Sequence, residues 1–172
     1  MVEIRLETPD DEAQVRAVNE KAFGRPEEAG IVDRLRLSCP EAISLVAEDD
    51  GKVVGHIIFT VAFIDSPRGP LWGRGLAVMA VLPDRQRQGI GSRLVERGLD
   101  LLREEKCPFV IVVGHAEYYP RFGFTRASEY KLSSQWENMP DEAFMVLVFD
   151  EGAMQGVSGV ATYRDDEFSQ AM

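Results

Sequence analysis

Residues 79–93 read Met-Ala-Val-Leu-Pro-Asp-Arg-Gln-Arg-Gln-Gly-Ile-Gly-Ser-Arg, and the chemistry of the chain is organised around them. An apolar run from Leu76 stops at Pro83, a basic turn containing glycine follows, and from Ile90 the apolar spacing becomes helical. A strand therefore feeds straight into a helix start. Such a start exposes backbone N–H groups that lack an intrahelical acceptor, together with the positive end of the peptide dipoles, so phosphate oxygens are stabilised there without a dedicated side chain. Gly89 and Gly91 have no Cβ and let a ligand approach the backbone. A dinucleotide fingerprint is argued against by Leu94, where its third glycine belongs, and an ATP or GTP loop by Gly91-Ser92-Arg93, where Gly-Lys-Ser/Thr is required.

Composition sets what surrounds this turn. The chain has 172 residues, enough for one domain with a real core, and a net charge of −10 from 29 acidic and 19 basic residues. That balance argues against a nucleic-acid surface and mildly favours a cationic partner. Arg85, Arg87, Arg93 and Arg97 nonetheless cluster where an anion would lie. The start of the chain has no apolar signal segment and the longest apolar runs are strand-length, so a cytoplasmic protein with no membrane partner is expected. Cys39 and Cys107 are read as reduced packing residues, and His56 and His115 have no metal-ligand spacing, so no metal site is expected.

The positioning elements follow from periodicity. Glu3 to Glu7 alternates as a half-buried strand; Thr8-Pro9-Asp10-Asp11 opens a helix running to about Phe23 and stopping at Gly24. Pro26-Glu27-Glu28 opens a second helix with Ile31, Val32 and Leu35 on its apolar stripe. Residues 44–48 and 52–65 form a hairpin through Asp49-Asp50-Gly51. After the central strand, Leu94, Val95, Leu99 and Leu102 give one helix face, with Gly98 beside it as a point of close packing. Phe109 to Val113 is a buried strand parallel to the one before the helix. Pro120 allows only a short helix near Tyr118 and Tyr119. Phe144 to Phe149 is a last clear strand, with Lys131 to Leu132 its expected partner, and from about 151 a mostly extended tail follows, including the charged Arg164-Asp165-Asp166-Glu167.

Gln86-x-x-Gly89-x-Gly91, after a strand ending Ala80-Val81-Leu82-Pro83, resembles the acyl-CoA pyrophosphate loop of the GNAT superfamily of N-acetyltransferases. The order of elements resembles that superfamily over most of the chain. Gly114-His-x-Glu-Tyr-Tyr-Pro-Arg-Phe-Gly-Phe124, Phe144-Met145-Val146-Leu147 and Gly159-x-x-x-Tyr163 resemble its YhbS-like branch. The resemblance implies a single α/β GNAT domain over residues 1–172, with a C-terminal extension from about 151. Its central twisted sheet has about seven mostly antiparallel strands and a parallel pair flanking the CoA site, with four helices on both faces. It implies acetyl-CoA as cofactor, CoA as product, and a primary amine of a small molecule or peptide as acceptor, with a homodimer admissible. Cofactor contacts fall on Met79, Ala80, Val81, Gln86, Arg87, Gln88, Gly89, Ile90, Gly91 and Ser92, with an oxyanion donor at Ala80 to Val81. Tyr119, four residues before Gly123-Phe124, is the implied proton donor to the departing thiolate, with Tyr118 its neighbour and rival.

No general base stands out: Gly73 to Leu82 has no carboxylate, leaving Glu117, Glu48 and His115 as candidates. Two other functions stay open, an acyl-CoA sensor that performs no transfer and an acidic interaction module that binds no CoA.

Overall fold

The computed structural model describes residues 1–164. These fall into two compact units, Met1–Thr60 with Ala77–Leu101 and Val61–Leu76 with Leu102–Arg164.

In the first unit β1 (Val2–Leu6) pairs antiparallel with β2 (Ile43–Asp49), which pairs antiparallel with β3 (Lys52–Ser66). The β2–β3 turn puts Asp50 at φ 49° and Gly51 at φ 78°, the left-handed pair that a tight hairpin needs. A short 3-10 turn at Pro9–Asp11 leads into α1 (Glu12–Phe23). The Asp11 carboxylate accepts from the Thr8 N–H at 2.8 Å and from Arg5 at 2.7 Å, and Gly24 closes the helix at φ 70°. The second helix, α2 (Glu27–Ser38), buries Ile31, Val32 and Leu35 as its stripe predicts.

Consecutive residues of β3 point to opposite faces. On one face Gly55 meets α3 (Ile90–Glu104): a Cβ there would lie 3.1 Å from both Ile90 Cγ2 and Leu94 Cδ1. Gly98 of α3 lies on Phe59 so closely that a Cβ would fall 2.3 Å from Cε2. On the other face His56 is fully buried, with Nε2 2.8 Å from Ser44 Oγ and Nδ1 3.2 Å from Asn19 Nδ2 of α1. Ser44 in turn donates to Glu7, which also accepts from Arg36. Neutral His56 protonated on Nε2 satisfies this chain, and burial holds its pKa below the ordinary histidine value. His56 is thus a hydrogen-bonded residue of the sheet.

In the second unit the start of β4 (Gly69–Val81) pairs parallel with β5 (Phe109–Val113), Leu76 opposite Val112. Strand β5 pairs antiparallel with β8 (Phe144–Val148), and β8 with β6 (Thr125–Arg126). The end of β3 pairs antiparallel with β9 (Gly159–Tyr163), which runs parallel to β7 (Leu132–Ser134).

Among the described residues the strands are mixed in direction and mostly antiparallel, as expected, and number nine rather than about seven, with four α-helices. Strands of two and three residues, β6 and β7, are too short to show a period. The partner expected for β8 is corrected: Leu132 lies in β7 against Gly159 of β9, while β8 takes β5 and β6. Where an extended tail is expected, α4 (Glu151–Met154) and β9 form instead, with Ala161 and Tyr163 buried. Asp165 to Glu167 of that expectation lie outside the described residues.

Candidate functional site

The candidate cofactor-binding residues form a turn within the first unit. Ala80 at the end of β4 is buried, Met79 and Val81 are half-buried, and the Leu82 N–H donates to Val54 O at 2.9 Å. Pro83–Arg85 then forms a 3-10 turn, closed by the Arg85 N–H on Leu82 O at 2.8 Å and by the Arg85 guanidinium on Asp49 at 2.8 Å. Gln86 is extended, and Arg87 at φ 61° and Gly89 at φ 84° reverse the chain into α3. The Arg93 N–H already bonds to Gly89 O at 3.1 Å, so α3 begins with Ile90 and Gly91, whose N–H groups have no acceptor within the helix.

Two glutamines brace this turn: Gln86 Nε2 donates to Val81 O at 3.0 Å and Gln88 Nε2 to Asp84 O at 3.2 Å. Residues 86–89 are exposed, and a Cβ built on Gly89 would meet nothing within 4 Å. No acidic residue sits in the first turn of α3 to compete with an anion. Of the four arginines expected to face that anion, Arg85 is committed to Asp49 and Arg93 donates to Val2 O at 2.9 Å, while Arg87 and Arg97 stay exposed.

The remaining candidate residues lie in the second unit, where the parallel ladder of β4 and β5 ends at Leu76 and Val112. Two tyrosines flank that end. Tyr119 opens the 3-10 turn Tyr119–Phe122 that Gly123 closes at φ 100°. Its ring lies on Gly114, where a Cβ would fall 2.3 Å from Cε2, and packs edge-on against Tyr118 at 5.1 Å and Phe124 at 5.7 Å. Burial, with a smaller contribution from Tyr118, pushes the Tyr119 phenol well above the usual tyrosine range. Its hydroxyl bonds to no other described residue. Tyr118 differs: it is half-buried and stacks under the Arg121 guanidinium at 4.5 Å.

The second tyrosine, Tyr163, is one that sequence reasoning left without a role. Its hydroxyl donates to Leu76 O at 3.0 Å and accepts from the Val113 N–H, so it occupies the backbone groups at the ladder end. Its ring fills the space over Gly75. The available signal was the alternation Gly159, Ala161, Tyr163, which places these three residues on one strand face.

None of the base candidates is assembled with these residues within its own unit. Glu48 is held by Arg5 Nε at 2.8 Å, and His115 and Glu117 are exposed. Cys39 and Cys107 are buried, with burial raising the Cys107 thiol pKa, as packing residues should be. Among the described residues no group of three or more His, Cys, Asp or Glu could hold a metal ion, and no helix is long and apolar enough to cross a membrane.

Comparison with known proteins gives a consistent picture. The acetyltransferase (GNAT) domain family matches residues 3–127. The chain is 33% identical over 163 residues to the uncharacterized N-acetyltransferase YhbS of Escherichia coli K12, covering 94% of this chain and 96% of that protein. It is 43% identical over 120 residues to the uncharacterized N-acetyltransferase YjhQ of the same organism, covering 66% of this chain and 64% of that protein. The crystal structure of E. coli YhbS in complex with CoA superposes with a TM-score of 0.88 at 31% identity, over 98% of this chain and 92% of that one. A GNAT family acetyltransferase from Brucella melitensis in complex with acetyl-CoA gives 0.75 at 34% identity, over 95% and 96%.

Proposed function

The chain belongs to the GNAT acetyltransferase family, and from that premise we propose that it is an acetyl-CoA-dependent N-acetyltransferase that acylates a primary amine of a small molecule or peptide by direct attack in a ternary complex. The observation that carries this reading is the first turn of α3, opened by Arg87 and Gly89 at positive φ, free of acid, and presenting the N–H groups of Ile90 and Gly91. Such a turn suits the diphosphate of a CoA.

Attack by the neutral amine on the thioester carbonyl builds charge on its oxygen, and a fixed backbone N–H stabilises that charge best. Ala80 to Val81 is the segment to which we assign this donor. Collapse of the intermediate expels a thiolate, to which Tyr119 gives its proton. Its raised pKa keeps the phenol protonated at neutral pH until that base appears beside it. We assign no protein base; the acceptor amine loses its proton to solvent. The reaction belongs in the cytoplasm, with which the two unpaired cysteines agree.

Substituting Tyr119→Phe tests the assignment. Thiol release should fall about 100-fold, the lower range of a general-acid contribution, while CoA affinity stays within about twofold of wild type. Equal loss of both would reduce Tyr119 to a packing residue. The ion pair that holds Glu48 favours one rival reading, an acyl-CoA sensor without transfer. Saturable CoA binding with no thiol released across a broad amine panel would select it.

A further inference from the structure

A cleft of about 490 Å³ opens in the first unit, walled by α1, by the first residues of β3 and by the segment that follows β4. Its size is that of a small-molecule site. Ala17, Val18, Val54 and Leu82 give it an apolar floor, and Lys21, Lys52, Arg85 and Asp84 stand around it.

The polar groups around the cleft are not equivalent. Gln14 is committed, its side-chain oxygen accepting the Val53 N–H at 3.0 Å, and the Arg85 charge is matched by Asp49. Lys21 and Lys52 have no hydrogen-bond or ion-pair partner among the described residues. They are two of only four lysines in the chain, converging on one cleft in a protein with 29 carboxylates to pair with. Against them stands the single carboxylate of Asp84, so the uncommitted charge around the cleft is positive in a chain whose net charge is −10.

We propose that this cleft is a binding site for a small amphipathic anion, a carboxylate carried on a hydrocarbon body. The body lies on the Ala17, Val18, Val54 and Leu82 floor and the carboxylate between the two ammonium groups. A wholly polar anion leaves the floor wet, and an amphipathic cation meets the lysines with like charge. The cleft shares Leu82, Asp84 and Arg85 with the segment leading into the turn but none of residues 86–92, so it is distinct from the proposed diphosphate site.

Calorimetric titration of the full chain with sodium octanoate, in saturating CoA and again without it, tests the proposal. Octanoate should bind saturably in both conditions and raise the melting temperature. Hexanoate, shorter by two methylenes at about fourfold each when buried, should bind about 15-fold more weakly, and octylamine should give no saturable heat. The double variant Lys21→Glu/Lys52→Glu changes two exposed side chains and should lower octanoate affinity at least tenfold, on the order of one matched charge pair near a protein surface. The proposal is overturned if octanoate shows no saturation up to about 10 mM, a range that covers weak millimolar binding. It is equally overturned if the double variant binds octanoate as wild type does, if octylamine binds as well as octanoate, or if CoA abolishes octanoate binding, which would assign the heat to the cofactor site.

Discussion

Substituting Gly75→Ala should be among the most damaging single-methyl additions in the second unit. A Cβ at this position would lie 2.3 Å from Tyr163 Cε1, 2.7 Å from Cδ1 and 3.0 Å from Cζ. Carbon atoms sit comfortably at about 3.5 Å, so the ring would have to retreat by roughly 1.2 Å. It is poorly placed to do so. Tyr163 is 1% exposed, its ring stacks near Trp136 at 5.7 Å, its N–H donates to Gln135 at 2.7 Å and its hydroxyl is tied to Leu76 O at 3.0 Å. A retreat of that size stretches the hydroxyl bond beyond hydrogen-bonding range. Overpacking contributes about 1–3 kcal/mol and the lost hydroxyl bond about 1 kcal/mol more, for about 2–4 kcal/mol in total. At about 2–4 °C per kcal/mol for a chain of this size, the melting temperature should fall by roughly 5–15 °C, read by calorimetry or circular dichroism. The cause is isolated by repeating Gly75→Ala in a Tyr163→Leu background, where the ring is gone and the methyl should cost less than about 1 kcal/mol, a coupling of about 2 kcal/mol between the sites. A melting temperature within about 2 °C of wild type, or the same cost in both backgrounds, would refute the reasoning.

Three further outcomes follow from the same geometry. Gly98→Ala adds a helix-favouring residue, which alone would stabilise α3 by about 1 kcal/mol. Its Cβ falls 2.3 Å from Phe59 Cε2, so the variant should lose about 1–3 kcal/mol in urea melts, and a gain would show that the helix stands off the sheet. Gly89→Val forces a β-branched residue to φ 84°, at a cost of about 1–2 kcal/mol, and should weaken CoA binding at least tenfold; unchanged affinity would count against the turn as the diphosphate site. His56 has its folded pKa lowered by burial, so below about pH 6.5 the unfolded chain takes up a proton that the folded chain refuses, and stability falls as the pH falls. His56→Gln should therefore flatten the decline between about pH 6.5 and 5 while leaving the steeper acid limb. That limb remains because Asp11 is held below the usual carboxylate range by Arg5, and Glu7 keeps its hydrogen bonds from Ser44 and Arg36 when His56 is replaced. The expected profile is checked by thermal melts at closely spaced pH.

What the chain discloses on its own is what neighbours in sequence decide. The left-handed hairpin at Asp50 and Gly51, the stop of α1 at Gly24, the short turn at Pro120 and the bend from Leu82 to Ile90 each depend on a few adjacent residues, and each was legible from residue type. Gly98 was legible too, as a gap in a helical stripe, although its partner Phe59 was not. Misreadings fall where a residue's meaning lies far away in the chain. Strand β9 looks like a tail because the glycines before it and the charged run from Arg164 hide a five-residue alternation, and only its pairing with β3 and β7 turns Ala161 and Tyr163 inward. Lys21 and Lys52 are unremarkable until α1 and β3 bring them to one cleft. The same argument separates the two tyrosines. Tyr119 could be singled out because Gly123 and Phe124 stand beside it, whereas Tyr163 acts on Leu76, 87 positions away, through a space that exists because Gly75 carries no side chain. A glycine in a central strand weakens it unless something occupies the vacated volume, and here the occupant is the residue whose hydroxyl takes up the backbone groups where the ladder ends.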